Sequence, residues 1–306
     1  MKKTSAKENH IPGVLEGTVQ VSGGNIWYRV VGAGKKGVPL LTIHGGPGAP
    51  HEYLNPLKVL AEERPVVFYD QLGCGHSDRP SDPALWTVEH FVEELDLLRK
   101  ALNMKQVHIL GQSWGSMLAV EYMLCKEPAG VRSLILSGPY LSSPLWARDQ
   151  RYWIDQLPAD IRQTILECED KKDYKNPAYQ DAVMEFYKRH LCRMDPWPED
   201  LLQSMEGMGV DVYEYMWGPS EFTLTGTLRQ ADLTPHLSRL SLPVLLTCGE
   251  FDEARPQTVA LFQDLIPGAR MHVFDGASHS HMLEQPEQAC RIISSFISSA
   301  ESQQIQ

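Results

Sequence analysis

Two short runs in this chain put a group able to attack a carbonyl next to backbone amides able to receive the resulting charge. Gly111-Gln112-Ser113-Trp114-Gly115 fits G-x-S-x-G and stands between a predicted strand, Val107–Leu110, and a predicted helix, Trp114–Leu124. The two glycines let the chain turn sharply enough to lift the Ser113 hydroxyl out of a sheet. The helix N-terminus behind it supplies a positive partial charge for a developing oxyanion. Ser113 is therefore the candidate nucleophile. The second run, His44-Gly45-Gly46-Pro47-Gly48, follows a predicted strand, Leu40–Ile43. Acyl transfer needs two convergent N–H donors, one from the residue after the nucleophile and one from a loop after an early strand. Trp114 supplies the first. Gly46 is the choice for the second, with Gly45 as the neighbouring alternative, because glycine permits the close backbone approach required. His44 reads as a residue that orders this loop rather than as the base.

Chain order constrains the remaining partners, since sheets that present a serine on such an elbow follow it with a carboxylate and then a histidine. The predicted strand Val244–Thr247 runs into Cys248-Gly249-Glu250-Phe251-Asp252-Glu253, and Met271–Phe274 into Asp275-Gly276-Ala277-Ser278-His279-Ser280-His281. Ligand sites of open α/β sheets lie past the carboxyl ends of the strands. Asp252 with His279 is the choice, the aspartate fixing the imidazole tautomer and stabilising the imidazolium. His281 is the alternative base, and Glu250 reads as a carboxylate that satisfies turn amides. The loop Asp70–Asp78 is glycine-rich but has neither a P-loop lysine nor G-x-G-x-x-G spacing, so it reads as a border of the site. Cys74 within it reads as a buried thiol.

These residues need a frame. Glu16–Val21 and Asn25–Val31 flank a turn at Ser22-Gly23-Gly24, and Val66–Tyr69 and Ser133–Leu136 add two more apolar runs of strand length. Between strands, Val88–Leu102 aligns Phe91, Leu95, Leu98 and Leu102 on one helical face. Buried strands alternating with helices imply a mostly parallel, eight-stranded sheet in an α/β layered fold. The alternation lapses between about Leu141 and Ser238. That stretch holds 12 of 26 aromatics and 17 acidic against 10 basic residues, hence 7 of the 11 net negative charges. It reads as an inserted helical cap, 141–238, on a discontinuous core of 1–140 and 239–306. A polar tail after Ser298 is expected to fray.

Composition narrows the function. The formal charge of −11 disfavours nucleic acid or an anionic membrane as partner and suits a neutral or cationic small ligand. Met1–His10 lacks an apolar segment behind its lysines, and no apolar run reaches the roughly 18 residues of a membrane helix, so a cytoplasmic protein is expected. Six scattered cysteines without a C-x-x-C pair imply reduced thiols and no zinc site. No cofactor or metal is expected, and the oligomeric state is left open, compatible with a monomer.

At these residues the sequence resembles the α/β-hydrolase fold and, within it, the proline iminopeptidase family in its tricorn-interacting aminopeptidase branch. The likeness rests on His44–Gly48, Asp70-Gln71 through Gly73-Cys74-Gly75 to Ser77, Gly111–Gly115, Trp217-Gly218-Pro219-Ser220-Glu221-Phe222, and Asp252-Glu253. It implies that Glu221 and Glu253 hold the free amino terminus of a substrate. Without it, Glu221 would read as a helix cap and Glu253 as solvated. Leu72 stands where many relatives have Arg, and Ser116 where others have Gly. The resemblance implies a cofactor-free serine aminopeptidase releasing N-terminal proline or another apolar residue from short peptides or aminoacyl amides. An amino-acid amidase or an ester or lactone hydrolase of the same fold is the alternative, and a non-catalytic binding module the outlying one.

Overall fold

A computed structural model describes residues 13–303. The statements about Met1–His10 lie outside the described residues. The expected hairpin is present as β1 (Val14–Val21) and β2 (Gly24–Val31), and six further strands follow. They are β3 (Leu40–Ile43), β4 (Val66–Tyr69), β5 (Val107–Gln112), β6 (Val131–Ser137), β7 (Val244–Gly249) and β8 (Arg270–Phe274). They form one eight-stranded sheet in the order β1-β2-β4-β3-β5-β6-β7-β8. β1 and β2 pair antiparallel, β2 joins β4 antiparallel, and every pair from β4 onward is parallel.

The central strands are apolar at every step because both faces are covered, and their side chains divide by the two-residue period. Leu41, Ile43, Val67, Ile109, Leu134, Leu136 and Leu246 enter one apolar cluster; Leu40, Val66, Phe68, Leu110, Ile135 and Leu245 enter the other. The first face carries α1 (Val88–Ala101) and α2 (Trp114–Lys126). Thr87 caps α1 by accepting the His90 N–H at 3.1 Å, and Arg99 and Lys100 close its last turn against the dipole.

The insertion lies between β6 and β7 and is helical, as expected: α3 (Ser143–Asp155), α4 (Ala159–Lys171), α5 (Pro177–His190), α6 (Glu199–Glu206) and α7 (Val210–Met216). The chain enters and leaves it at adjacent points, where Ser142 bridges Asp232. After β7 come α8 (Pro256–Leu265), the single turn α9 (His281–Glu284) and α10 (Pro286–Gln303).

Two expectations need correction. His51–Glu62 is a long run of 3₁₀ turns packed on the second face, where no element was expected; Pro56 inside it obscures the helical pattern. Residues 299–303 continue α10 rather than fraying, because Ala300 is buried and Glu301 pairs with Arg64 at 2.9 Å; residues 304–306 lie outside the described residues. Among the described residues no helix is long and apolar enough to cross a membrane.

Candidate active site

Ser113 sits where β5 hands over to α2, at φ 53° and ψ −120°. A non-glycine residue holds such a conformation only when its surroundings impose it. Here they do. The Ser113 N–H donates to Ser137 O at 2.9 Å; a Cβ on Gly111 would lie 2.2 Å from Gly115 O and one on Gly115 2.2 Å from Ile43 O, so the turn closes against β3 only because both positions lack side chains. Ser116, in place of the glycine of some relatives, is accommodated by donating its hydroxyl to Gly111 O at 2.8 Å.

The His44–Gly48 loop lies beside the elbow: a Cβ on Gly45 would come within 3.1 Å of Ser113 Cβ. Gly45 N–H donates to the Tyr53 hydroxyl at 2.6 Å, which donates onward to Gln112 Oε1 at 2.7 Å. That commits the Gly45 donor. Gly46, at φ +105°, has no protein partner for its N–H among the described residues, and Trp114 is the first residue of α2, whose N–H a helix leaves unpaired. His44 orders the loop, as expected. Its Nε2 accepts the Gln71 N–H at 2.9 Å, Gln71 Nε2 donates to its carbonyl at 3.0 Å, and burial lowers its pKa to about 4. Gln71 Oε1 also receives Trp114 Nε1–H at 2.9 Å, so one glutamine ties both amide-bearing segments together. Cys74 is buried and its thiol is pushed well above the usual range by burial.

Asp252 and His279 meet at 2.6 Å, Oδ1 to Nδ1. The same Asp252 oxygen accepts the Ala254 N–H at 2.8 Å, and Oδ2 accepts Gly249 N–H at 3.0 Å. Burial alone would raise this carboxyl, but the His279 charge and hydrogen bond hold it well below the usual carboxylate range. His279 packs on the segment after β6, where a Cβ on Gly138 would lie 2.7 Å from its Cε1 and Nδ1. Because Ser113 bonds Ser137 and His279 abuts Gly138, one turn of backbone serves both side chains. His281, the alternative base, has Nε2 2.8 Å from Ser137 Oγ and 3.1 Å from Thr247 Oγ1, and Nδ1 3.7 Å from Asp252 Oδ2. It supports the aspartate from behind. Glu250 accepts Gly276 N–H at 2.8 Å, a turn carboxylate as read.

Glu253 is not solvated. It is fully buried, neither carboxylate oxygen has a hydrogen-bond partner, and Oε2 lies 3.8 Å from His279 Nε2. Glu221, half-buried on the cap, accepts the Tyr213 hydroxyl at 2.7 Å, and no helix begins at it. Burial and the repulsion of Glu221 push the Glu253 carboxyl well up, and burial raises Glu221 as well. For His279 burial works downward, but Asp252, Glu253 and Glu221 outweigh it and raise the imidazole to about 9.

Sequence reasoning missed the residues that hold these loops. Trp153 Nε1 donates to Asp252 O at 2.8 Å and Gln150 Nε2 to Glu253 O at 3.0 Å, both from α3. Trp146 Nε1 donates to Glu221 O at 3.0 Å, and its ring meets His279 edge-on at 5.8 Å between centroids. Their helical spacing of 146, 150 and 153 was the available signal. The described residues that could gather round a metal are His51, Glu52 and Asp70. Asp70 there already accepts His51 N–H at 3.0 Å, His51 Nδ1–H at 2.8 Å and His76 N–H at 2.9 Å, and so orders the bordering loop.

A parallel sheet with a serine on the β5–α2 elbow, a histidine–aspartate pair after β8 and β7, and a helical insertion after β6 define an α/β hydrolase. The family described as alpha/beta hydrolase fold matches residues 38–286. The chain is 44% identical to the proline iminopeptidase of Heyndrickxia coagulans over 93% of its own length and 99% of that protein's. It is 39% identical to that of Thermoplasma volcanium, over 92% and 96%. The crystal structure of the Mycobacterium smegmatis proline iminopeptidase superposes with a TM-score of 0.87 at 36% identity, covering 94% of this chain and 98% of that one. That of VinJ gives 0.88 at 36% identity, over 94% and 99%. This chain belongs to the proline iminopeptidase family.

Proposed function

We propose that the protein is a serine aminopeptidase that releases proline, or a similarly apolar first residue, from the free amino end of short peptides or aminoacyl amides. The observation that carries the reading is the buried carboxylate of Glu253, which has no hydrogen-bond donor, beside the His279–Asp252 pair. Such a group is costly to leave unmatched. A peptide α-amino group, with a pKa of about 7.7 to 8.0, supplies the missing N–H donors together with a positive charge. With Glu221 as the second carboxylate, the amino terminus is fixed at a set distance from Ser113, and only the first peptide bond reaches the nucleophile.

In this reading Ser113 Oγ attacks the first carbonyl and passes its proton to His279 Nε2, while the Trp114 and Gly46 N–H groups receive the oxyanion. His279 returns the proton to the departing amine, then takes one from the water that hydrolyses the acyl-enzyme. Asp252 holds the imidazole tautomer throughout. A cytoplasmic site of action accompanies this reading, supported by six unpaired cysteines of which five are buried.

Glu221→Gln with Glu253→Gln tests the clamp. Each charge-assisted contact is worth about 1.5–3 kcal/mol, so kcat/KM on a prolyl fluorogenic amide should fall roughly 10²–10⁴-fold while a neutral ester is hydrolysed no more slowly. Equal losses on both substrates would remove the clamp from the reading. A panel of aminoacyl amides with N-blocked counterparts separates peptidase from plain amidase or esterase preference.

A further inference from the structure

The clamp and the base are closer than binding alone requires. Glu253 Oε2 stands 3.8 Å from Nε2 of His279, the nitrogen that must receive the Ser113 proton, and both Glu253 oxygens are buried with no other partner. A carboxylate meant only to grip an amine could stand clear of the imidazole. This one shares the nitrogen's surroundings.

Every neighbouring element adds to the same balance. The loop after β7 brings Asp252 and Glu253, and the cap brings Glu221 with the Tyr213 hydroxyl on it and Tyr187 against its backbone. His281 faces Asp252 from the far side, and the His190 carbonyl at the end of α5 accepts the main-chain N–H of His279. Three carboxylates thus surround one buried imidazole. We infer that Glu253 gates the base as well as holding the amine: with the clamp empty it keeps a proton on the Nε2 side of His279, and an arriving ammonium group expels that proton to solvent. Only a substrate with a free amino terminus then frees the lone pair that Ser113 needs. The inference rests on the amine-clamp reading above and extends it from binding to catalysis.

The electrostatics agree. The imidazole is raised to about 9 by the three carboxylates after burial has worked against it, so it keeps its proton at neutral pH. Binding R–NH₃⁺ places a positive charge between Glu253 and Glu221. One proton leaves Nε2, and the site's net charge is unchanged. Ser113 Oγ–H can then donate to the vacated nitrogen as the Oγ–C bond forms. Selectivity for free amino termini would follow in the chemical step and not in affinity alone.

The pH dependence of kcat against that of kcat/KM tests this in the wild-type enzyme, because kcat reports groups in the bound complex and kcat/KM those in the free enzyme. The substrates are prolyl 4-methylumbelliferyl ester and its cyclopentanecarboxylate analogue, which has CH₂ in place of the amine. On the prolyl ester the acid limb of kcat should lie one to two pH units below that of kcat/KM, by roughly the separation a single compensated charge gives. On the carbocyclic ester both limbs should coincide at the higher pH. Coincident limbs on both substrates overturn the gate. Glu253→Gln supplies the second arm: the carbocyclic limb should move down and its rate at pH 7 rise about ten-fold, for a shift near one unit. If that variant loses prolyl turnover while the carbocyclic profile stays still, the clamp stands and the gate falls. If prolyl turnover survives undiminished, the clamp itself is wrong and the gate goes with it.

Discussion

A buried carboxyl without a full set of partners is where this molecule stores its titration behaviour, and Glu253 is not the only one. Glu94 on α1 is buried, accepts Leu72 N–H at 3.2 Å through one oxygen and has no partner for the other. Burial pushes its carboxyl up to about 8 from 4.5. The unfolded chain releases that proton as pH passes 4.5, whereas the folded chain keeps it until about 8. Stability therefore falls across that window and stays lower above it. Glu94→Gln keeps an acceptor for Leu72 and removes the titration. It should gain on the order of 4 kcal/mol over wild type at pH 8 and close to nothing at pH 4.5, read as urea midpoints at the two pH values. The same gain at both would show that the charge is not the cause. Glu94 was illegible in the sequence because it lies between Phe91 and Leu95 on the apolar face, where periodicity assigns a face but not the protonation state of what occupies it. Ser113, Asp252 and His279 were legible for the opposite reason: glycine-rich turns after apolar strands are local signals.

At the scale of the element, α3 decides how firmly the acid side of the site is held. Trp146, Gln150 and Trp153 form one stripe on it, and through three N–H groups they pin the main chain at Glu221, Glu253 and Asp252. Trp153 also stacks on His190 at 4.4 Å between centroids, so the same side chain reaches the carbonyl neighbour of His279. Trp153→Phe removes the bond to Asp252 O and keeps most of the packing. The lost bond is worth about 1 kcal/mol, and kcat should fall several-fold with KM little changed, because the aspartate is loosened while the amine contacts remain. A raised KM with unchanged kcat would mean that α3 serves substrate binding instead. Helical spacing announced a helix here, but its partners lie 75 to 103 residues on, and no local pattern carries that distance. The sheet was easier to read, since an apolar run of four to six residues between turn signals has few other uses, and its strand ends moved by only one or two positions.

The cap and the core are best regarded as one folding unit despite the topology, and we propose the division at 141–238 as a description of connectivity only. The cap has a small cluster of its own around Ile154, Ile165, Tyr179, Phe186 and Phe222. Trp146, Val212, Met216 and Trp217 of the cap belong to the cluster that also contains Trp114, Leu118 and Tyr140 of the core, and Cys192 and Leu201 belong to the cluster on the second face of the sheet. Polar contacts bind the halves further. Gly209 N–H donates to Gly48 O at 2.8 Å, Gly75 N–H to Gly207 O at 3.0 Å, and Tyr53 N–H to Ser204 Oγ at 2.9 Å, so α6 and its following turn close over the loop that carries Gly46. Residues shared this way cannot be exposed on one side without costing the other. Heating should therefore give one calorimetric transition whose enthalpy matches the van't Hoff value, with near-ultraviolet signals from the cap tryptophans and loss of Ser113 labelling by a fluorophosphonate following the same curve. An earlier transition confined to the cap would divide the molecule into two units. It would also make Glu221 a mobile partner, with an amine site assembled only when the cap is in place.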